Sequence, residues 1–494
     1  MPDDDKNVTS SGSQSDAGVS LANCRMGETN LKALNPLVMS GKEVLPVIEG
    51  GKGVAVSTGK SSGAWAAAGG IGTFSAVNAD SYDENGNMVP IEYAGKTRGD
   101  RHQELIAYGI RGGIAQAQIA HEMRNGEGRL HMNVLWEMGG AEPILEGVLE
   151  GAKGLIHGVT CGAGMPYKIA QISAHYGVHY YPIVSSARAF RALWLRSYKK
   201  TPEWLGGVVY EDPWRAGGHN GLSNSEDPLV PEDPFPRVRD LRTFMNSVGL
   251  NHVPIIMAGG VWFLRDFEDW IDNPEVAPVA FQFGTRPLLT QESEISDEWK
   301  QRLTSLQDGD VSLHKFSPTG FYSSAVRNTF LEDLHQRSDR QVRYSRTAEA
   351  DLHVGIPLGR RGRPIYVRED DADKVRGWLD AGYTEGMPTP DETMVFLTPE
   401  SALTVKKDQI DCMGCLSQCQ FSNWEQHSGT TGKRADPRSF CIQKTLQNIA
   451  HGAKVENELM FAGHNAYKFG EDPFYANGNI PTVKQLVDRI MTGD

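Results

Sequence analysis

"VPIIMAGG" (Val253–Gly260) and "PVAFQFGTR" (Pro278–Arg286) decide how this chain is read. Each is a short apolar run that ends in glycine. Runs that are apolar throughout, rather than alternating, suit strands buried on both faces, as in a parallel sheet. Gly260 and Gly284 lie 24 residues apart, the length of one strand–helix unit. Working back from them, six more runs appear: "GVAVST" (Gly53–Thr58), "GIGTFS" (Gly70–Ser75), "RLHMNVLW" (Arg129–Trp136), "GLIHGV" (Gly154–Val159), "GVHYYPIV" (Gly177–Val184) and "GGVVY" (Gly206–Tyr210). Helical stretches lie between most of them, among them His102–Met123 and Lys168–Gly177. Eight β/α repeats over roughly 230 residues predict an α/β chain folded as a (β/α)8 TIM barrel. A doubly wound sheet competes, but it would carry a GxGxxG turn between its first strand and helix, and none stands in that context.

The 494 residues hold more than a barrel needs. Residues 1–30, acidic and Ser-rich, read as a disordered lead-in, without the basic start or apolar core of a secretory signal. Residues 31–296 carry the barrel. From 297 to 454 the chain is charged and less periodic, which reads as an insertion. It contains "VGIPLGRRGRPIYV" (Val354–Val367), a basic turn into a strand, and an amphipathic helix over Glu369–Tyr383. Residues 455–494 regain apolar character and read as C-terminal helices packing back on the barrel. The net charge of −13 argues against nucleic acid or an anionic membrane as partner. No apolar run approaches the ~20 residues of a membrane span. These absences favour the cytoplasm and a small-molecule substrate.

In such barrels ligands meet the loops after the strands' C-terminal ends, and phosphate commonly sits after strands 7 and 8. Three small-residue clusters fall at such ends: Ala258-Gly259-Gly260, Gly284-Thr285-Arg286 and Ala216-Gly217-Gly218-His219. Glycines let backbone N–H groups reach an anion, and Thr285 adds a hydroxyl. Each cluster alone reads as a tight turn; three together at these places point to a site. An imidazole such as His219 titrates near neutrality and suits proton transfer.

"AAAGGIGTFS" (Ala66–Ser75), "MNV" (Met132–Val134), "AGGH" with its Pro-rich loop, "IIMAGGV" (Ile255–Val261) and "FGTRPLLTQES" (Phe283–Ser293), in this order, resemble the nitronate monooxygenase family (the former 2-nitropropane dioxygenases), which includes FMN-dependent enoyl-ACP reductases. The resemblance covers roughly residues 36–295 and resumes near Leu459–Met491. It implies an FMN-binding TIM barrel and an oxidoreductase. It places Ala258, Gly259, Gly260, Gly284 and Thr285 at the FMN phosphate, Asn133 at the isoalloxazine or ribityl chain, and Gly217 and Gly218 close to the flavin. His219 matches the family's active-site histidine. Ser57 and Thr58 stand where the family's first cofactor-contacting motif ends, though "VST" (Val56–Thr58) departs from its usual wording. Arg215 replaces the family's acidic residue before AGGH, and Asp212 and Pro213 replace its Gln–Gly pair. Arg215 would serve a larger anionic substrate or pair with Asp212. The four-proline loop Glu226–Pro236 reads as a stiff cover over the site.

Four of the six cysteines crowd into thirty residues. "DCMGCLSQCQ" places Cys412, Cys415 and Cys419 in a C-x2-C-x3-C pattern, and Cys441 follows. Clustering in a cytoplasmic chain points to metal or redox chemistry. The set fits a [4Fe-4S] cluster, a zinc site, with His427 as an alternative ligand, or unliganded thiols. The wording resembles the cluster loop of the FMN barrels that reduce 2,4-dienoyl-CoA. Cys161, in "TCGAGMP", reads as a small buried residue. The function expected is an FMN-dependent oxidoreductase oxidising a nitronate-like or other carbanionic substrate with O2 or another acceptor. An NAD(P)H-dependent C=C reductase and a non-catalytic flavin- or metal-binding protein are the alternatives.

Overall fold

The computed structural model describes residues 32–359 and 361–494, so the expected lead-in lies outside the described residues. Eight parallel strands close into a barrel. They are β1 (Val47–Glu49), β2 (Ile71–Ser75), β3 (Arg129–Leu135), β4 (Gly158–Gly162), β5 (His179–Val184), β6 (Val208–Glu211), β7 (Ile255–Ala258) and β8 (Val279–Phe283). Closure is completed by β8 pairing with β1, Phe281 opposite Val47 and Phe283 opposite Glu49. The helices α1 (Gly59–Ala67), α2 (Arg98–Met123), α3 (Ala141–Gly151), α4 (Ile169–Tyr176), α5 (Ala187–Arg196) and α6 (Pro234–Ser247) follow β1 to β6 in turn. Short 3-10 turns follow β7 and β8. The doubly wound alternative is thereby excluded.

Two of the expected strands are displaced. The first is not Gly53–Thr58 but the three residues Val47–Glu49. Gly53–Thr58 instead forms the turn into α1, with Ala55 at φ +56°. The fourth begins at Gly158, where "GLIHGV" was expected to end. Elsewhere the apolar runs are strands.

Strand pleating sorts side chains into two layers. Outward residues such as Ile255, Met257, Val208, Tyr210 and Phe281 pack under the helices in one large core. Inward residues Ile48, Ile71, Tyr181, Val209, Ile256 and Ala280 fill the barrel itself. The hairpin Leu37–Val44 closes the barrel's N-terminal end. Its turn residue Ser40 lies 2.9 Å from His131 Nε2 and 2.8 Å from the Tyr181 hydroxyl.

After β8 the chain returns to the mouth of the barrel before leaving it. Strand Ser323–Val326 pairs with Val311–His314 on one side and with Gly218–His219 on the other. A small α/β unit follows, with the sheet Gln341–Arg343, Thr393–Leu397 and Glu385–Pro388, the antiparallel strands Val354–Leu358 and Arg363–Val367, and the helix Glu369–Asp380. It has its own core, including Val342, Ile365, Val375 and Phe396. The cysteine segment then rejoins the barrel, where the Gly139 N–H donates to the Cys415 carbonyl at 2.9 Å. The last helix, Val483–Met491, is fixed by a Thr482/Gln485 capping box and buries Leu486, Val487 and Ile490 in the main core. Among the described residues, no helix is long and apolar enough to cross a membrane.

Candidate active site

The inward residues in the last layer of the strands form the floor of one cleft at the barrel's C-terminal mouth. Asn133, Leu135, Gly162, Ile183, Glu211 and Gln282 all line it. Its walls come from the loops: Gly50 to Gly53 after β1, Arg215 to His219 after β6, Ala258 to Trp262 after β7 and Gly284 to Arg286 after β8. Phe461 to Gly463 close it from the C-terminal segment. The cleft encloses about 1360 Å³ not filled by protein atoms, open solvent included.

Asn133, Gly217, Gly218, His219, Ala258, Gly259, Gly260, Gly284 and Thr285 are therefore brought together. Ser57 and Thr58 are not. Because Gly53–Thr58 is a turn, Ser57 points back to bond the Lys52 N–H (3.0 Å), and Thr58 caps α1 by position. The residues at the end of β1 that do reach the cleft are Gly50, Gly51 and Lys52. The loop Glu226–Pro236 contributes nothing to the lining either. It packs outside, accepting a hydrogen bond at the Asp227 carbonyl from Trp214 Nε1 (2.8 Å). Arg237 ties it down through Glu226 and Glu232, both at 2.7 Å.

The glycines owe their bareness to different causes. A Cβ on Gly217 would stand 2.6 Å from the Ala462 backbone, and one on Gly51 would overlap the Asn133 side chain. Gly259 and Gly260 have φ of +83° and +76°, and Cβ atoms there would meet Asp212 and Arg215. These positions keep glycine for chain packing and turn geometry. At Gly284 a Cβ would meet nothing within 4 Å, so this bareness serves the cleft. Among the described residues, the N–H groups of Gly259, Gly260, Gly284 and Thr285 donate to no protein acceptor. Free donors grouped at the mouth of β7 and β8 have the geometry to receive an anion. The Thr285 hydroxyl accepts from the Gly463 N–H (2.9 Å). Behind this wall the buried Arg286 donates to the Trp262 carbonyl (2.7 Å) and bonds the C-terminal Asp494 (3.1 Å), which fixes the loop from below.

Arg215 pairs with the fully buried Asp212 at 2.7 Å, and Asp212 also accepts from the N–H groups of Trp214 (2.9 Å) and Arg215 (3.0 Å). The pair therefore fixes the AGGH turn. Asn133 accepts from the Thr160 hydroxyl (3.2 Å) through Oδ1, which turns Nδ2 to the cleft. Lys52 Nζ donates to the Gly50 carbonyl (2.7 Å) and to Glu49 (3.3 Å); burial lowers its pKa, and Glu49 partly offsets this.

His219 is held by the segment beyond the barrel. Its Nε2 lies 2.6 Å from Ser317 Oγ, and Ser317 Oγ lies 2.8 Å from Thr319 Oγ1. In the tautomer whose Nε2–H donates to Ser317, and Ser317 to Thr319, Nδ1 is the basic nitrogen. Phe461 packs on the ring at 5.6 Å between centroids. Burial lowers the imidazole to about 4, so it is neutral at neutral pH. Glu211, the last residue of β6, lines the cleft. Burial, with Asp212 beside it, raises its carboxyl to about 8. A neutral base and a neutral acid thus share one cleft.

Cys161 points outward from β4 into the core, and burial raises its thiol well above the ordinary range. None of the four clustered cysteines forms a disulfide. Among the described residues, no three His, Cys, Asp or Glu side chains are grouped so as to hold a single metal ion. The expected zinc site on Cys412, Cys415, Cys419 and Cys441 is therefore not formed as one tetrahedral centre, and His427 does not complete it.

His219, His314 and His157 are all held down by burial, to about 4, 3 and 3 from 6.5. The unfolded chain takes up these protons first. Folding stability will therefore fall as pH drops from about 6.5 towards 3–4, and urea midpoints measured across that range will show it. Glu211 acts in the opposite sense between about 4.5 and 8.

No family model and no curated protein matches the chain. Among solved structures it is similar to FabK from Thermotoga maritima, at 15% identity over 94% of this chain and 93% of that one, with a TM-score of 0.49. It is similar to the nitroalkane oxidase of Streptomyces ansochromogenes at 16% identity, over 61% and 80% of the two chains, with a TM-score of 0.42. The enoyl reductase domain of MlnA from the macrolactin cluster of Bacillus amyloliquefaciens matches at 11% identity, over 91% and 93%, with a TM-score of 0.49. At such values these likenesses add nothing to what the closed barrel itself shows.

Proposed function

We propose that the cleft holds flavin mononucleotide and that the protein is an FMN-dependent oxidoreductase acting on a small carbanionic substrate of the nitronate type, with O2 or another acceptor taking the electrons. The observation that carries this reading is the set of free N–H donors on Gly259, Gly260, Gly284 and Thr285 at the rim of a cleft whose floor is Asn133. Those donors would hold the phosphate, and Asn133 and the Gly217–Gly218 backbone would flank the ring system. When bound, FMN supplies the two-electron redox chemistry. The chain supplies the proton chemistry: His219 Nδ1 would accept the α-carbon proton of the neutral nitroalkane, so forming the nitronate that is then oxidised, while Ser317 keeps the ring oriented. Anaerobic mixing of FMN-loaded protein with an alkyl nitronate tests this. Bleaching of the flavin spectrum is expected, and an unchanged spectrum would remove the nitronate reading.

Glu211 favours a second reading. A carboxylic acid that stays protonated at neutral pH can donate the proton that C=C reduction requires, with a reduced nicotinamide as electron source. Bleaching by NAD(P)H but not by nitronate would select it. The pH profile of kcat/KM is expected to fall below about 4, where His219 gains its proton, and, on the second reading, also above about 8, where Glu211 loses its own. Glu211→Gln is expected to remove the alkaline limb and keep the acid one. A profile with both limbs intact in that variant would show that Glu211 takes no part.

A further inference from the structure

We propose that the Ser317 and Thr319 hydroxyls form a proton relay joining His219 to solvent, so that the ring exchanges protons while the cleft is filled. The role of His219 as a base rests on the proposed function; the relay rests on the hydroxyl chain alone. His219 Nε2 lies 2.6 Å from Ser317 Oγ, and Ser317 Oγ lies 2.8 Å from Thr319 Oγ1. Ser317 is buried, and Thr319 is half-buried. Phe321, two residues on, is 48% exposed. The chain of hydroxyls thus runs from the cleft wall towards the surface.

The remaining partners of these hydroxyls are backbone donors. The Thr319 N–H donates to Ser317 Oγ (3.4 Å), and the Phe321 N–H donates to Thr319 Oγ1 (3.3 Å). A hydroxyl has one hydrogen to give and two lone pairs. When His219 Nε2–H donates outward, Ser317 accepts from it and from the Thr319 N–H, and gives its own hydrogen to Thr319. Thr319 then accepts from Ser317 and Phe321, and its hydrogen has no protein acceptor among the described residues, so it turns to water. With both hydroxyls reversed, Ser317 donates to Nε2, Thr319 donates to Ser317, and water donates to Thr319. Every bond is made in either order, and a relay needs both. A partner that only oriented the ring would need Ser317 and no Thr319.

The transfer balances without moving electrons. An imidazolium formed at Nδ1 gives its Nε2 proton to Ser317 Oγ, the Ser317 proton passes to Thr319 Oγ1, and the Thr319 proton passes to water. The ring is left neutral, with its hydrogen on Nδ1. Once the cleft reopens, that hydrogen goes to water and another returns along the relay to Nε2. The turn that carries both hydroxyls is fixed from three sides. The Gly320 N–H donates to the Ser317 carbonyl (3.0 Å), the Gln420 N–H to the Pro318 carbonyl (2.8 Å) and the Ser439 hydroxyl to the Phe316 carbonyl (2.7 Å). Pairing of Ser323 with His219 sets its distance from the ring.

The test follows the His219 ring N–H by heteronuclear NMR of the full chain carrying isotope-labelled histidine, the signal being identified by its loss in His219→Asn. Its exchange with solvent is expected to slow by about 10-fold in Thr319→Val, a barrier higher by ~1.4 kcal/mol, and to keep the parent rate in Thr319→Ser. An equal rate in folded Thr319→Val would overturn the relay. The parent chain decides the matter if that variant does not fold. Exchange along the relay is indifferent to urea below the unfolding transition; exchange that quickens with urea would mean that the strand must open first, and would overturn the relay. Neither flavin nor substrate is needed, so the two proposals separate. Nitroalkane turnover together with equal exchange rates in the parent and Thr319→Val overturns the relay alone. Slowed exchange in a chain that turns over no nitroalkane leaves the relay standing and removes the role of His219 as base.

Discussion

Gly284→Leu will lose FMN binding by about 100-fold while folding normally, a cost near the ~3 kcal/mol end of overpacking. The choice of glycine matters. At Gly260 the new side chain would meet the Arg215 side chain at 2.7 Å, and at Gly259 and Gly260 the backbone lies in the left-handed region. Loss of binding there would be confounded with loss of structure. Gly284 has neither difficulty, because its Cβ would meet no atom within 4 Å. The leucine would occupy the space next to the free N–H groups of Gly284 and Thr285. Fluorescence titration with FMN measures the loss, and an unchanged melting midpoint shows that the fold is retained. Equal FMN affinity in the variant and the parent would mean that the anion is held elsewhere.

His219→Asn is expected to lower turnover of the neutral nitroalkane by roughly 10²–10⁴-fold, the usual contribution of one positioned acid–base group, and to spare the preformed nitronate. FMN affinity should stay within a small factor, because the ring approaches Ser317 and Phe461 and not the free N–H groups. Ser317→Ala should give a smaller fall in kcat with KM little changed, since Ser317 acts by orienting the ring. If turnover survives in His219→Asn, the proton is taken by another group, and Glu211 and Lys52 also line the cleft.

The legible parts of this chain were those where strand pleating leaves an apolar outer face. β5 to β8 read clearly because Val208, Ile255, Met257 and Phe281 must be apolar to pack under helices. β1 was hidden because it has only three residues and ends in the buried Glu49. The neighbouring "GVAVST" is richer in strand-forming residues, yet it turns into α1, and Ser57 and Thr58 left the site with it. β4 was shifted because its inner face is Gly158, Thr160 and Gly162, with little apolar signal. The site's glycines were legible from position alone, although most serve chain packing. Glu211 had a signal that went unused: it is the last residue of a barrel strand, where function gathers. Ser317 had none. It comes to His219 from 98 residues away, through a strand pairing that local pattern does not reveal.

The most direct measurement is FMN titration of the purified full chain, with the released cofactor weighed by mass spectrometry. The account predicts stoichiometric binding, an oxidised flavin spectrum and competition by inorganic phosphate for the N–H donors of Gly259, Gly260, Gly284 and Thr285. A folded protein that binds no flavin in excess FMN would contradict it.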